Sequence, residues 1–422
     1  MSRTTLFQQL IENDQDVVNN TFIKLEVDAS SDIFLTDSKL LGLTVKEVTG
    51  TSTFIVSMTI TDLFGDLVNH AIVEGSFDFW LTIGRDEFDN VQYKMKPAKI
   101  NTANIASAAS KNYAYTITFV SHSWKEMFLT RHNRAWSDKK YSDIVKEIAD
   151  EIGFNEVHIT ETDKLTPLTI QPYWTNFEML RWIKKRSSST SGAGFDFALT
   201  SNDGFFFSSY GDLITRRTLG IQDTKEQQPI LTLTMKRLTE DNYDDGFRSI
   251  DRIELGQDYM IAMKSGASGV SSSHYDYMNK QYTGKREQTF SQSEIPQLSE
   301  KAFISESDEL VGANIYTFTD TESDEMARQK LSFISNKIQT LRVHTPGVSE
   351  VHVGNVVEVQ IPLGVDESQL PYNELLSGFY LVTGKETSVG QSGTATTILR
   401  LTRHGVNTQD TKTLVESRRG RI

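Results

Sequence analysis

AWSDKKYSDIVKEIADEIGF (Ala135–Phe154) and IQPYWTNFEMLRWIKKRS (Ile170–Ser187) decide how this chain is read. In the first, Tyr141, Ile144, Val145, Ile148 and Ile152 recur at the offsets of a 3.6-residue period, which predicts an amphipathic helix. Ser137 or Asp138 stands where an N-cap belongs, and Gly153 where a left-handed residue stops a helix. The second opens on Thr175-Asn176-Phe177-Glu178, a capping box in which Thr175 and Glu178 satisfy each other's free amides. Pro172 favours an extended approach to it. Phe177, Leu180 and Ile183 then point inward with Trp182 beside them, while Lys184 to Arg186 suit the negative helix end. Neither helix carries an obvious catalytic group, and core packing accounts for both apolar stripes.

Outward from this pair, the pattern changes to strand on both sides. Phe22–Asp28, Phe54–Thr61, Gly75–Ile83 and Tyr113–Ser121 alternate or nearly alternate apolar and polar residues, as a half-buried antiparallel sheet requires. Turn residues at Gly50, Asp62 to Gly65 and Gly84 to Asn90 divide them, and this spacing predicts a closed or nearly closed barrel over residues 1–123. Leu6, Phe7, Leu10 and Ile11 predict a short N-terminal helix. After the loop RSSSTSGAG, the runs FDFAL and GFFFSS read as a hairpin around Asn202-Asp203-Gly204. Residues 124–228 therefore form a mixed α/β middle domain.

From Pro229 the runs ILTLTMKRL and SIDRIELG return to strand, followed by a polar excursion from Lys264 to Val311 whose low hydrophobicity predicts a long, mobile loop. A third helix starts near Thr321, with Ala327, Leu331, Ile334 and Ile338 on one stripe. LRVHTPG, HVGNVVEVQIP, GFYLVTGKETS and ATTILRLTRHG complete a second β unit over 229–405, and a basic tail with Arg418, Arg419 and Arg421 ends the chain at 406–422. The fold class is mainly β with an α+β insertion.

Composition narrows the function classes. A chain of 422 residues is long for one core, so about two to four domains are expected. No apolar run is long enough to span a membrane, and the N-terminus lacks the apolar core of a secretory signal. Zero cysteines exclude disulfides and thiolate metal sites. A net charge of −13 argues against gripping nucleic acid, which draws its affinity from Lys and Arg on phosphates.

Specific chemistry is sought and not found. The eight histidines form no HExxH and no i, i+4 pair; His344 and His352 could meet across strands, but no carboxylate pattern accompanies them. Glu240–Gly246 (EDNYDDG) resembles a calcium loop, yet counting from Asp241 puts Tyr243 third and Arg252 twelfth, where oxygen ligands belong. Gly378 to Lys385 nearly spells a phosphate loop, but the glycine spacing is wrong and Glu386 replaces the Ser/Thr. There is no GxSxG elbow, and 56 acidic residues make any carboxylate pair uninformative. The chain is expected not to be an enzyme: no catalytic, cofactor-binding or metal-ligating residue is singled out, and no cofactor is expected.

Several runs together resemble a known family. They are Trp136-Ser137, Tyr141, Ile144-Val145, Gln171, Trp174 to Glu178 and Leu180-Arg181-Trp182. Met326 to Ile338, Val353 to Val357, Ser377 to Val382 and Thr397 to Arg403 follow in the same order. The pattern, over about residues 20–405, resembles the central hub proteins of contractile phage baseplates and the late-control hub proteins of temperate phages. It is also similar to the N-terminal part of type VI valine-glycine-repeat spikes.

The resemblance implies two tail-tube-like antiparallel β-barrels per chain, so that a homotrimer presents six as a pseudo-sixfold ring. The middle domain would brace them, and 264–311 would return to it, leaving the second barrel discontinuous. It further implies a tail tube or distal tube protein above, a spike below, wedge and tape-measure proteins as possible neighbours, and DNA passing through the lumen without specific binding. The place would be the virion baseplate, assembled in the host cytoplasm without membrane insertion. Only 17 residues follow Gly405, so the needle is expected to be a separate chain. The hub segment of a type VI or extracellular contractile injection device is the alternative, and a wall-degrading or carbohydrate-binding tail protein is a third.

Overall fold

The computed structural model describes residues 4–11, 21–27, 39–62, 78–84, 90–105, 113–190, 194–201, 204–216, 231–235, 247–257, 269–276, 280–288, 301–302, 314–317, 326, 329, 339–347, 351–362, 373, 376–390, 395–403 and 405–406. Among the described residues seven strands open the chain: β1 (Thr4–Ile11), β2 (Thr21–Val27), β3 (Lys39–Val48), β4 (Ile55–Asp62), β5 (Phe79–Gly84), β6 (Asn90–Ile105) and β7 (Tyr113–Ser121). All pair antiparallel, in the order β1-β2-β5-β6-β7-β4-β3. Alternation does the work here: Phe54, Val56, Met58 and Ile60 are fully buried, while Ile55 between them stays largely exposed. The helix expected through Leu6, Phe7, Leu10 and Ile11 is instead strand β1, which pairs with β2 from Thr4↔Val27 to Ile11↔Thr21. A bulge between Thr5 and Phe7 breaks the strict alternation that would have marked a strand, and cross-strand pairing overrides the local periodicity.

The middle section comprises α1 (Trp124–Phe128), β8 (Arg131–Lys140), α2 (Tyr141–Ile152), β9 (Glu156–Ile159), β10 (Leu165–Thr175), α3 (Asn176–Lys184), β11 (Phe195–Leu199), β12 (Gly204–Ser209) and α4 (Tyr210–Arg216). Helix α2 stops at Gly153, whose φ of 80° is the left-handed cap expected. Its start differs from expectation. Ser137 and Asp138 lie inside β8, which is held extended by pairing with β10 as far as Lys140↔Leu165. The N-cap is Lys140, which has no side-chain acceptor; Asp143 takes the Lys140 amide at 3.3 Å, and the Ser142 amide donates to Thr162 Oγ1 at 3.1 Å. Helix α3 has both halves of its capping box, Glu178 N to Thr175 Oγ1 at 3.2 Å and Thr175 N to Glu178 Oε2 at 2.9 Å. Met179, Leu180 and Ile183 are buried, and Phe177, expected among them, is only partly so.

The last section holds β13 (Thr232–Thr234), β14 (Phe247–Ser249), β15 (Arg252–Gln257), β16 (Gly269–Asp276), β17 (Gln281–Gln288), β18 (Lys301–Ala302) and β19 (Asn314–Thr317). It ends with β20 (Gln339–Pro346), β21 (Val356–Gln360), β22 (Gly378–Val389), β23 (Ala395–Arg403) and β24 (Gly405–Val406). The excursion read as a loop contains the β16–β17 hairpin, to which β19 adds in parallel. Of the third helix only Met326 and Gln329 are described, both helical; Ala327, Leu331, Ile334 and Ile338 lie outside the described residues, as do the 240–246 loop and the tail arginines.

Among the described residues, strands from the two ends of the chain meet in one 14-stranded sheet, curled into a half-barrel, through antiparallel pairing of β3 with β22. Two apolar cores lie along it. One runs from the first unit into α2 and α3; the other fills the second unit. The β11–β12 hairpin divides them: Phe195, Phe197, Phe205 and Phe207 enter the first core, Ala198 and Phe206 the second. A strand buried on both faces reads as a continuous apolar run, which is why GFFFSS carries three consecutive phenylalanines. Phe206→Ala should therefore lower stability by about 3–5 kcal/mol, measured by chemical denaturation, and a loss below about 1 kcal/mol would contradict its burial in the second core.

Candidate functional site

Polar side chains tie several elements together where parts of the fold join. Two such places are built from the residues described.

The first is the brace around Arg134. Arg134 lies on β8, which pairs with β10 and packs against α2, and its long planar side chain reaches three other elements. Arg134 Nε donates to Gln171 Oε1 on β10 (2.8 Å), Nη1 to Glu151 Oε2 on α2 (2.6 Å), and Nη2 to Asn176 Oδ1 at the start of α3 (2.9 Å). Asn176 Nδ2 continues to the Glu126 carbonyl of α1 at 3.2 Å. Gln171 and Asn176 are fully buried, so the guanidinium supplies donors that water cannot. The same guanidinium lies 4.9 Å from the Trp136 ring centre, and Trp136 Nε1 donates to Glu147 Oε2 at 2.8 Å. Lys139 also pairs with Glu147, and these contacts hold its carboxyl below the ordinary value, the Lys139 hydrogen bond contributing most.

The second is the seam, centred on Val45 to Thr51. Glu47 on β3 stands directly opposite Lys385 on β22, and both are buried. Tyr93 Oη donates to Glu47 Oε1 at 2.5 Å, and His352 Nδ1 lies 3.8 Å from Oε2. The His352 ring is also within 3.2 Å of Ser201 Oγ, from the end of the β11–β12 hairpin. So one carboxylate joins side chains from the first unit, the second unit and, through His352, the middle section. Burial pushes the Glu47 carboxyl up, but Lys385, His352 and Tyr93 together outweigh it and hold it below the ordinary value of 4.5. Burial and the adjacent Glu47 charge push the Tyr93 hydroxyl well above its ordinary value. The backbone repeats the three-way contact. Thr49 N donates to Thr383 O (3.0 Å), Gly50 N to Phe197 O (2.7 Å), and Thr51 bridges Ala198 in parallel. At Gly50 φ is 78°, and a Cβ would sit 3.5 Å from Asp196 Oδ1, so the chain can turn from one strand partner to the other here. Asp196 is itself buried, accepting from Lys184 at 2.6 Å and from Tyr210 Oη at 3.0 Å.

Sequence reading singled out neither junction: Trp136, Gln171 and Asn176 entered through the family resemblance, His352 as a partner for His344, and Lys385 at the end of a rejected phosphate loop. A glutamate and a lysine 338 positions apart carry no local signature. His344 and His352, considered as a pair, have different surroundings: His344 lies 3.6 Å from Glu254 on β15, His352 in the seam. Gly378 to Lys385 is part of the extended strand β22. Among the described residues no group of three or more His, Cys, Asp or Glu could hold a metal ion.

Glu47→Gln should cost about 3–5 kcal/mol at neutral pH, because it leaves the buried Lys385 without its counter-charge. The added loss from Lys385→Met in that background should be much smaller than in the parent. Because the folded-state value is lowered, this stabilisation is present above pH 4.5 and disappears as pH falls below it. Denaturation curves of parent and Glu47→Gln should therefore converge on acidification; a gap independent of pH would exclude the carboxylate as its source.

No protein-family model matches the chain, and no curated protein matches it in sequence. Solved structures do match in fold. The tail protein from Neisseria meningitidis MC58 superposes with a TM-score of 0.56 at 11% identity, covering 91% of this chain and 97% of that one. The 43 kDa tail protein of prophage MuSo2 from Shewanella oneidensis gives 0.54 at 10% identity, covering 90% and 98%. A chain of a PdpA–VgrG complex in its lidless form gives 0.50 at 8% identity, covering 94% and 68%. The chain has the fold of these tail proteins across nine-tenths of its length.

Proposed function

We propose that this protein is a structural hub of a phage tail baseplate, in which three copies close a pseudo-sixfold ring between the tail tube and a trimeric central spike. One observation carries the reading: strands from the two ends of the chain share a single sheet through β3 and β22, in a chain with the fold of tail proteins. A chain built as two joined β lobes supplies six lobes from three copies, which is what a threefold-to-sixfold adaptor needs. The section 124–228, with 264–311 joining it, braces the lobes from outside. The protein works by geometry and turns over no substrate. Its neighbours are a tail tube or distal tube protein above and a separate spike or needle protein below, with wedge and tape-measure proteins around them. Assembly takes place in the host cytoplasm before the hub becomes part of the virion.

The lumen of such a ring must let the genome pass without holding it. A formal charge of −13 per chain supports a wall that repels phosphates. The hub segment of a type VI or extracellular contractile injection device is the second reading, supported by the likeness to a chain of a PdpA–VgrG complex. Particles that contain the protein but no genome-filled head would favour it over the first.

Purified protein, alone or with its spike, should sediment as a trimer and give threefold rings with an open centre by negative-stain electron microscopy. A monomer under both conditions would overturn the hub reading. Duplex DNA should not be retained in a gel-shift assay at moderate salt, and tight retention would overturn the repelling lumen.

A further inference from the structure

Strand β10 carries a backbone feature that the brace does not require. Between Pro172 and Trp174 its pairing with β8 shifts by one residue, and the extra residue, Tyr173, has φ of 55°. An aromatic residue in the left-handed region is costly, and such strain persists where surrounding contacts hold it for a purpose. Here Arg131 holds it: Nη1 donates to the Tyr173 carbonyl at 3.0 Å, and the guanidinium lies 5.8 Å from the ring centre. The result is a tyrosine ring 67% exposed. Leu168 and Ile170 on the same strand are also exposed, so the ring ends an apolar surface and is not an isolated side chain.

Beside it lies a cleft of about 390 Å³ whose walls include Trp174, Trp182 and Met326. The two indoles of the lining stand 6.4 Å apart at 54°. The mouth is cationic. Arg186 lies 4.1 Å from the Trp182 ring centre, and Arg181 and Lys185, both exposed, have no carboxylate partner among the described residues. The one carboxylate of the lining, Glu178, is engaged with the Thr175 amide at 2.9 Å and lies 3.6 Å from Arg131. Arg131 thus links the cleft to the Tyr173 bulge. Trp, Tyr, Arg and Met are the side chains enriched at the centres of protein interfaces. Arg181 and Lys185, without a carboxylate partner among the described residues, mark a local reversal of sign on a chain of net charge −13.

We infer that the Tyr173 bulge and the Trp174–Trp182 cleft form a docking site for an acidic peptide segment of another protein. An apolar or aromatic anchor of that segment enters between the indoles, and its carboxylates meet Arg181, Lys185 and Arg186. The identity of the occupant rests on the proposed function: if the middle section braces the ring from outside, the occupant is distinct from the tube and spike.

The test uses the full chain and three fluorescein-labelled pentapeptides with a central tryptophan, flanked by four glutamates, four glutamines or four lysines, followed by anisotropy. The glutamate peptide should bind saturably, more weakly as salt rises, and at least about tenfold more tightly than the glutamine peptide. The Arg181→Glu/Lys185→Glu double variant should lose that binding with thermal unfolding and sedimentation unchanged. Lys125→Glu/Lys146→Glu, an equal charge reversal on exposed positions outside the lining, should keep it. Equal binding of the glutamine peptide, absence of glutamate-peptide binding, or equal loss in both double variants would overturn the site. A changed sedimentation pattern in Arg181→Glu/Lys185→Glu would also overturn it, by assigning the cleft to contact between copies; the trimer test on the parent protein is independent of all these outcomes.

Discussion

A strand with an unpaired edge inside a protein cannot be tolerated, because each buried amide and carbonyl without a partner costs about as much as a lost hydrogen bond. Strand β3 is the last of the first seven in pairing order, and the rest of the molecule is arranged around the way its edge is satisfied. Strand β22 covers it from Gly384↔Val48 to Val389↔Leu43. Where the ladder ends, Gly50 passes the chain to the β11–β12 hairpin. This sequence of backbone partners determines which side chains become buried together, and so places Glu47, Lys385, Tyr93 and His352 in one polar cluster. A polar cluster at that depth adds less stability than apolar packing would. What it adds is register: slipping β22 by one residue would move Lys385 away from Glu47 and bury two charges apart.

The same logic accounts for the division of labour between the cores. The hairpin β11–β12 has phenylalanines on both faces, so the middle section is not an appendage but the partition against which both β units pack. Its open flank is closed by Gln329, whose Oε1 accepts from the Gly194 and Phe195 amides at 2.9 and 2.8 Å while Nε2 donates to the Phe195 carbonyl at 2.8 Å. A single glutamine side chain thus imitates a strand neighbour. In the second core Arg403 is fully buried, 4.6 Å from the Tyr380 ring centre, donating to Gln339 and to the Ser377 carbonyl.

What the sequence made legible was local. The capping box of Thr175 and Glu178, the left-handed stop at Gly153 and the two-faced run GFFFSS each depend on residues within a few positions, and each is found where it was read. The mainly β class with its α+β insertion was legible for the same reason, from alternation and its interruption. Misreadings came where a distant strand decided. Leu6 to Ile11 has helical spacing but is drawn into a ladder with β2, and Asp138 looks like a helix cap but lies within β8, between Ser137 and Lys139 paired to β10 and with a φ of 52°. The junctions were invisible because Arg134 and Glu47 gain meaning only from Gln171, Asn176, Lys385 and His352, which no short pattern ties to them. The strained tyrosine gave one signal in hindsight, an aromatic between Pro172 and Trp174 just before a helix cap.

The pairing of β3 with β22 also has a consequence in time. Val48 and Gly384 are 336 residues apart, and a ribosome adds about 5–20 residues per second, so roughly 17–67 s pass between the synthesis of one edge and the emergence of its cover. Through that interval β3 is an open template for any other chain, including a nascent copy on the same message. The charges along it, Lys39, Lys46 and Glu47, are of the kind that discourage such pairing. The buried Glu47 can thus be seen as serving twice: it guards the edge while the chain is being made, then becomes part of the lock once the chain is finished.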